Sequence, residues 1–207
     1  MKSLTMICAL IVGIFAGGVR AEQGADEQLI ALLQGFEQLQ GGFVQTQYGP
    51  DEEAAVATSR GTFRLLKPRY FSWRIEDPDR QLVLADGEFI WHHDLDLETV
   101  TRRPLSSQDA VSPLQVLGGD TDILRSDFDI SVTGKGRFRL QPTAGNPGFR
   151  ELTLIFSDST VSGMEIVDNL GQRLFIELVD VQTTPVLRPA DFNFTPPAGA
   201  DLFFHDQ

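Results

Sequence analysis

The densest group of chemically capable side chains in the sequence is His92-His93 with Asp94, Asp96 and Glu98. A metal ion needs three or four donors converging on one point, whereas neighbouring residues of a strand project to opposite faces. His92 and His93 therefore do not share an ion, and the next histidine is His205. The group reads as the exposed end of a hairpin, and no metal site is assigned. The other carboxylates do not suggest catalysis. Asp86, Asp94, Asp158 and Asp168 sit in or beside turn sequences, where Asp is favoured because it bonds nearby backbone. There is no Gly-x-Ser-x-Gly elbow, no phosphate-binding glycine loop and no catalytic cysteine. The sequence does not read as an enzyme, and no cofactor is expected. Apolar surface is what it has in surplus, with 15 Phe and two Trp. Part of that surplus is core; the rest could line a cavity, and periodicity alone does not separate the two.

Composition sets the setting. Lys2, the apolar run from Leu4 to Phe15 and the small-residue pattern Val19-Arg20-Ala21 form a secretory signal covering residues 1–21, leaving one domain over residues 22–207. The lone Cys8 lies within that apolar run, so the mature chain has no cysteine and relies on its core. Removing Lys2 and Arg20 changes the count of 17 basic and 29 acidic residues to 15 and 29, a net charge of −14. Such a chain is repelled by nucleic acid and by anionic lipid surfaces.

The elements that would position a cavity are mostly strands. From Arg60 to Asp96, apolar residues recur at every second position: Phe63 and Leu65, then Phe71, Trp73 and Ile75, then Leu82 and Leu84, then Phe89 and Trp91. Pro68-Arg69 and Asp86-Gly87 supply turns. The expectation is a curved antiparallel sheet with both tryptophans on its inner side. One helix is predicted over Asp26–Leu39, ended by Gly41-Gly42, and a short apolar one at Pro113–Leu117. Further strands are predicted at Phe43–Tyr48, Glu98–Pro104, Phe128–Val132, Phe138–Leu140, Leu152–Phe156, Met164–Ile166 and Leu174–Leu178, with an acidic exposed loop or wide hairpin end over Gly49–Ser59. The Pro-interrupted tail from Asp191 to Leu202 suits an edge strand or strap. The sum is a mainly β (α+β) domain. It is an unclosed antiparallel barrel of about eleven strands with helices across its mouth, enclosing a hydrophobic cavity.

Four motifs then carry a resemblance: Lys67-Pro-x-x-Phe71-x-Trp73, Asp86-Gly87-x-x-x-Trp91-x-x-Asp94-x-Asp96-x-x-x-Val100-Thr101, Asp168-Asn-Leu-Gly-Gln172, and Phe192-x-Phe194-Thr-Pro-Pro-x-Gly199. In this order they resemble the periplasmic outer-membrane lipoprotein carrier family, LolA, across the whole mature chain. The resemblance implies an unclosed eleven-stranded barrel lidded by helices. It also implies a periplasmic carrier, expected to act as a monomer, that takes lipoproteins by their acyl chains from an inner-membrane ABC transporter of the LolCDE type. Delivery would be to an outer-membrane receptor of the LolB type. Burying one CH₂ is worth roughly 0.8 kcal/mol, so a chain of about fifteen methylenes carries on the order of 10 kcal/mol and does not enter water unaided. With no ATP motif here, the donor must supply the energy.

On this reading Ile30, Leu33, Phe36, Leu114 and Leu117 form the lid, and Phe63, Leu65, Phe71, Trp73, Leu84 and Trp91 form the wall. Where the family commonly has an Arg before the Pro, reaching the lid and keeping the empty cavity closed, this chain has Lys67, which keeps the charge but loses the planar fork of donors. Lys67, with Arg69 nearby, is the expected control of the lid. Phe71 matches a position linked in the family to engaging the donor, although alternation places it inward. The alternative on the same scaffold is a paralogous carrier of a phospholipid or glycolipid. A third reading is a collapsed-cavity domain that binds a protein partner at its sheet edge.

Overall fold

A computed structural model describes residues 24–105, 113–118, 120–143 and 148–205, without the side chains of residues 114 and 115. The signal segment 1–21 and the lid assignment of Leu114 lie outside the described residues and side chains. The chain opens with helix α1 (Ala25–Gln34), followed by strands β1 (Gln38–Tyr48), β2 (Ala55–Leu66), β3 (Tyr70–Asp77), β4 (Gln81–Asp86), β5 (Phe89–Asp94) and β6 (Thr99–Pro104). Two short helices follow, α2 (Pro113–Leu117) and α3 (Thr121–Asp127). Then come β7 (Phe128–Gly134), β8 (Arg137–Pro142), β9 (Phe149–Ser157), β10 (Thr160–Asp168) and β11 (Arg173–Gln182). A 3-10 turn (Pro189–Phe192) and β12 (Asp201–Phe204) end the fold.

All twelve strands form one sheet in the order β12-β6-β5-β4-β3-β2-β1-β11-β10-β9-β8-β7. Every pairing is antiparallel except β12 with β6, which is parallel. Among the described residues no ladder joins β7 to β12, so the barrel is unclosed. The count exceeds the expected eleven because the strap's end itself pairs as a strand.

Two boundaries differ from expectation. The first helix stops at Gln34, where the Gly35 N–H turns back onto the Leu32 carbonyl. Leu39 and Gly41-Gly42 belong instead to β1, which is bulged between Gln40 and Gly42 against β11. The glycine is required there: a Cβ on Gly41 would stand 2.7 Å from the Val179 carbonyl oxygen of β11. Strand β2 also starts early, at Ala55, and extends the hairpin with β1 beyond any buried face, where no alternation marks it, so the acidic stretch is the hairpin's wide end and its loop is confined to residues 49–54. Helix α3 was not anticipated. Its signal is Asp120, whose carboxylate caps the N–H groups of Asp122 and Ile123 ahead of the buried Leu124.

The sheet has two apolar faces. On the concave one, β2, β3 and β4 meet in the register Phe63–Trp73–Val83 and Leu65–Phe71–Ala85, with Ile90 of β5 continuing the second row. The register places Leu82, Leu84 and Trp91 on the opposite, convex face, where Leu84 pairs with Ser72 on one side and Trp91 on the other. They form a separate cluster with Val100, against which Phe89, Leu95 and Phe194 pack. Leu84 and Trp91 are therefore not part of the cavity wall, and only one tryptophan faces inward. The cause lies in the sequence of β4, Gln81-Leu-Val-Leu-Ala-Asp, which is apolar at both parities, so alternation there cannot name the inner face. The convex cluster is roofed by the C-terminal strap. Phe192, 0% exposed, lies 5.7 Å from the Tyr70 ring, and Phe194 lies 5.2 Å from Trp91.

Candidate functional site: a helix-covered apolar concavity

The concave face presents a continuous apolar surface. At its centre the rings of Phe43 and Trp73 stack at 3.8 Å with an 18° interplanar angle, and Phe63 tilts against Trp73 at 5.9 Å. Helix α1 lies over this surface through Leu29, Ile30 and Leu33, with Phe36 just beyond its end, because a spacing of three and four residues keeps them on one side of the helix. Val116 and Leu117 of α2 and Leu124 of α3 complete the described cover. Of the expected site residues, Ile30, Leu33, Phe36, Phe63, Leu65, Phe71, Trp73 and Leu117 are buried in one cluster. Phe43, Ala85, Ile90, Val116 and Leu124 join them without having been named. The signal for Phe43 was available: it opens the predicted strand next to the helix. Such a surface attracts alkyl chains by dispersion and by exclusion of water, and neither demands one ligand shape.

Lys67 reaches the cover. Lys67 Nζ donates to the Leu33 carbonyl in the last turn of α1 and sits 4.0 Å from the centre of the Phe36 ring. Its backbone N–H also donates to the Glu37 carbonyl at 3.0 Å. Lys67 thus satisfies a carbonyl that the helix end leaves without an N–H partner, and its charge complements the helix dipole. Burial pushes its pKa down from 10.5 to about 8, opposed by the nearby Glu37 carboxylate. Arg69 donates from Nη2 to the Leu105 carbonyl at 3.2 Å, fixing the residue at which the chain leaves β6 towards α2.

The polar motif residues hold turns. The Asp86 carboxylate accepts from the backbone of Glu88 and Phe89 and from Trp91 Nε1, the last at 2.7 Å. Gly87 between them has φ 96°, which favours glycine. Asp94 accepts from the N–H groups of Asp96 and Leu97, and Asp168 from those of Leu170 and Gln172. Backbone and side-chain bonds from Arg80 hold the Asp96 carboxyl below the usual range. The histidines diverge as a strand requires. His92 is exposed beside Gln81, while His93 is buried on the convex face against Phe194. Burial, then the Arg74 charge, lowers the pKa of His93. The convex face also has an open hollow of about 510 Å³ between Arg64, Arg74, Glu76 and Asp180, whose walls carry both signs of charge and do not suit an alkyl chain.

Comparison with known proteins agrees with this geometry. An outer-membrane lipoprotein carrier protein of Legionella pneumophila (strain Corby) is 34% identical over 205 residues, covering 98% of each chain. One from Dechloromonas aromatica (strain RCB) is also 34% identical over 205 residues, covering 97% of this chain and 95% of its own. In fold, the chain is similar to an uncharacterized conserved protein from Thermus thermophilus, with a TM-score of 0.52 at 12% identity over 88% of this chain and all of that one. The family model described as outer membrane lipoprotein carrier protein LolA matches residues 34–195. With most of its length matched in this way, the chain belongs to the LolA family of outer membrane lipoprotein carrier proteins.

Proposed function

We propose that the protein carries lipoproteins through the periplasm by enclosing their acyl chains between the concave sheet face and helices α1 to α3. The observation that carries this reading is the enclosure itself, in which Ile30, Leu33 and Phe36 meet Phe63, Leu65, Phe71 and Trp73 in one apolar cluster. Loading exchanges contacts between cover and wall for contacts with alkyl chains, so the cover must swing away from the sheet. Lys67 controls that step, because its hydrogen bond to the Leu33 carbonyl ties the end of α1 to the turn between β2 and β3. The polypeptide part of the cargo stays outside. The protein acts as a carrier and not as an enzyme.

Residues 1–21 direct export and are removed. Loading is from an inner-membrane LolCDE-type transporter and delivery is to a LolB-type outer-membrane receptor. Support for the carrier role comes from 34% identity over nearly the whole chain to proteins named outer-membrane lipoprotein carriers. The test is to add purified protein, residues 22–207, to energised spheroplasts and assay the medium for lipoproteins in complex with it. Release in complex is the expected result. No release, with a phospholipid or glycolipid copurifying, would reject lipoproteins as cargo; no release and no lipid would reject the carrier reading altogether.

A further inference from the structure

At the β6 side the sheet ends in β12, a strand whose four residues are all exposed. Leu202, Phe203 and Phe204 are 44%, 52% and 49% exposed, a run that edge strands ordinarily guard with charge or proline. Its backbone is half used. The N–H groups of Asp201 and His205 donate to the carbonyls of Glu98, just before β6, and of Arg102 within it. The period of two then points the backbone of Phe203 the same way and that of Leu202 and Phe204 outward. Among the described residues no strand pairs with that outer side. The strand is also held in shape. The Arg102 guanidinium lies 4.5 Å from the Phe204 ring and 4.4 Å from that of Phe89, so the edge is presented by a stacked cation and not by a loose tail.

We propose that β12 is a docking edge that accepts one extended segment of a partner protein as a thirteenth strand, and that the segment is apolar with basic residues. Charge selects this occupant. Exposed Glu98 and Asp201 flank the start of β12, and Leu97 beside them is 72% exposed. The whole chain carries −12. A second copy would bring −12 against −12, and an anionic bilayer would meet the same repulsion, whereas a cationic strand gains both backbone bonds and charge complementarity. The inference does not depend on what the concavity carries.

The test uses isotope-labelled full chain and a synthetic eight-residue peptide alternating Val and Lys, with a Val/Glu peptide as its counterpart. At free Val/Lys peptide about ten times its dissociation constant, amide exchange at Leu202 and Phe204 is expected to slow about tenfold. The Val/Glu peptide leaves it unchanged. Leu202→Pro removes an outward N–H and spares the donors of Asp201, Phe203 and His205, so it abolishes the protection while β12 stays paired with β6. Leu202→Lys keeps every backbone group and weakens binding of the Val/Lys peptide by repulsion. Unchanged exchange at saturating peptide, or binding by both variants as tight as by the wild type, would overturn the proposal. So would protection at Leu202 and Phe204 that rises with protein concentration alone, which identifies a second copy, or that arises only with anionic vesicles, which identifies a bilayer.

Discussion

Replacing Lys67 by Met removes the donor that caps α1 together with its charge and keeps an unbranched stem over the Phe36 ring, so the change tests the hydrogen bond. A hydrogen bond from a charged donor contributes about 1.5–3 kcal/mol, and the cation at a helix C-terminus adds about 0.3–1 kcal/mol. Against this stands the cost of half-burying the ammonium, whose presence is visible in the lowered pKa. The net loss on substitution is then about 1–2 kcal/mol, which multiplies the population with α1 lifted by about 5–30. The assay is uptake of a fluorescent acyl probe that needs the opened form. Its apparent affinity rises by the same factor as that population. Lys67→Arg, with a planar fork that can hold more carbonyls at once, is expected to lower affinity below wild type. If Lys67→Met and wild type bind the probe equally and unfold at the same denaturant concentration, the reasoning fails.

Proton linkage gives a second test. In the closed form Lys67 titrates near 8, and released into water it titrates near 10.5, so between these values the open form holds a proton that the closed form has lost. Opening therefore becomes less favourable as pH rises from about 8 to about 10.5, because the neutral amine, unlike Met, still donates to the Leu33 carbonyl and no longer bears the cost of burying a charge; below that window opening is indifferent to this group. Probe uptake should fall across it in the wild type and stay flat in Lys67→Arg; parallel profiles would refute the link. The two tryptophans report opposite faces. With a spin-labelled acyl chain, the emission of Trp73 in W91F should be quenched and that of Trp91 in W73F should not, and the reverse would reassign the site. Asp86→Ala strands three donors, one of them the buried Trp91 indole, and is expected to cost about 2–4 kcal/mol in urea denaturation with an unchanged slope. A loss below about 0.5 kcal/mol would show that the turn holds without the carboxylate.

Much of this architecture can be read from residues whose surroundings are one-sided. Phe63 and Leu65 stand either side of Arg64 after the polar Thr62, so their strand and its buried face follow together, and the register bears this out. Ile30 and Leu33 sit on a helix with a polar back, and they do cover the sheet. Legibility fails where both sides are buried. Leu82 and Leu84 lie in a strand that is apolar at both parities, and the face they share with Trp91 is decided by pairing with β3 and by a strap distant in the chain. Leu39 also extends the helical spacing of α1, yet belongs to a strand, because the close approach of β11 at Gly41 sets the backbone there. Lys67 could be singled out by its place in a motif, whereas the carbonyl it reaches depends on where α1 ends.

The parallel pairing of β12 with β6 bears on the order in which the molecule can form. Asp201 meets Thr99 across 102 positions of chain, and Gln40 of β1 meets Gln182 of β11 across 142. The centre of the sheet and its outer margin both wait for the last quarter of the sequence. Contacts this distant close slowly, because loop entropy must be lost before they repay it. Hairpins β2–β3, β4–β5 and β9–β10 can assemble early and locally, but the convex side of β3, β4 and β5 stays without its roof of Phe192 and Phe194 until the C-terminus arrives. The strap is thus a completion signal: a chain still emerging has hairpins and no container.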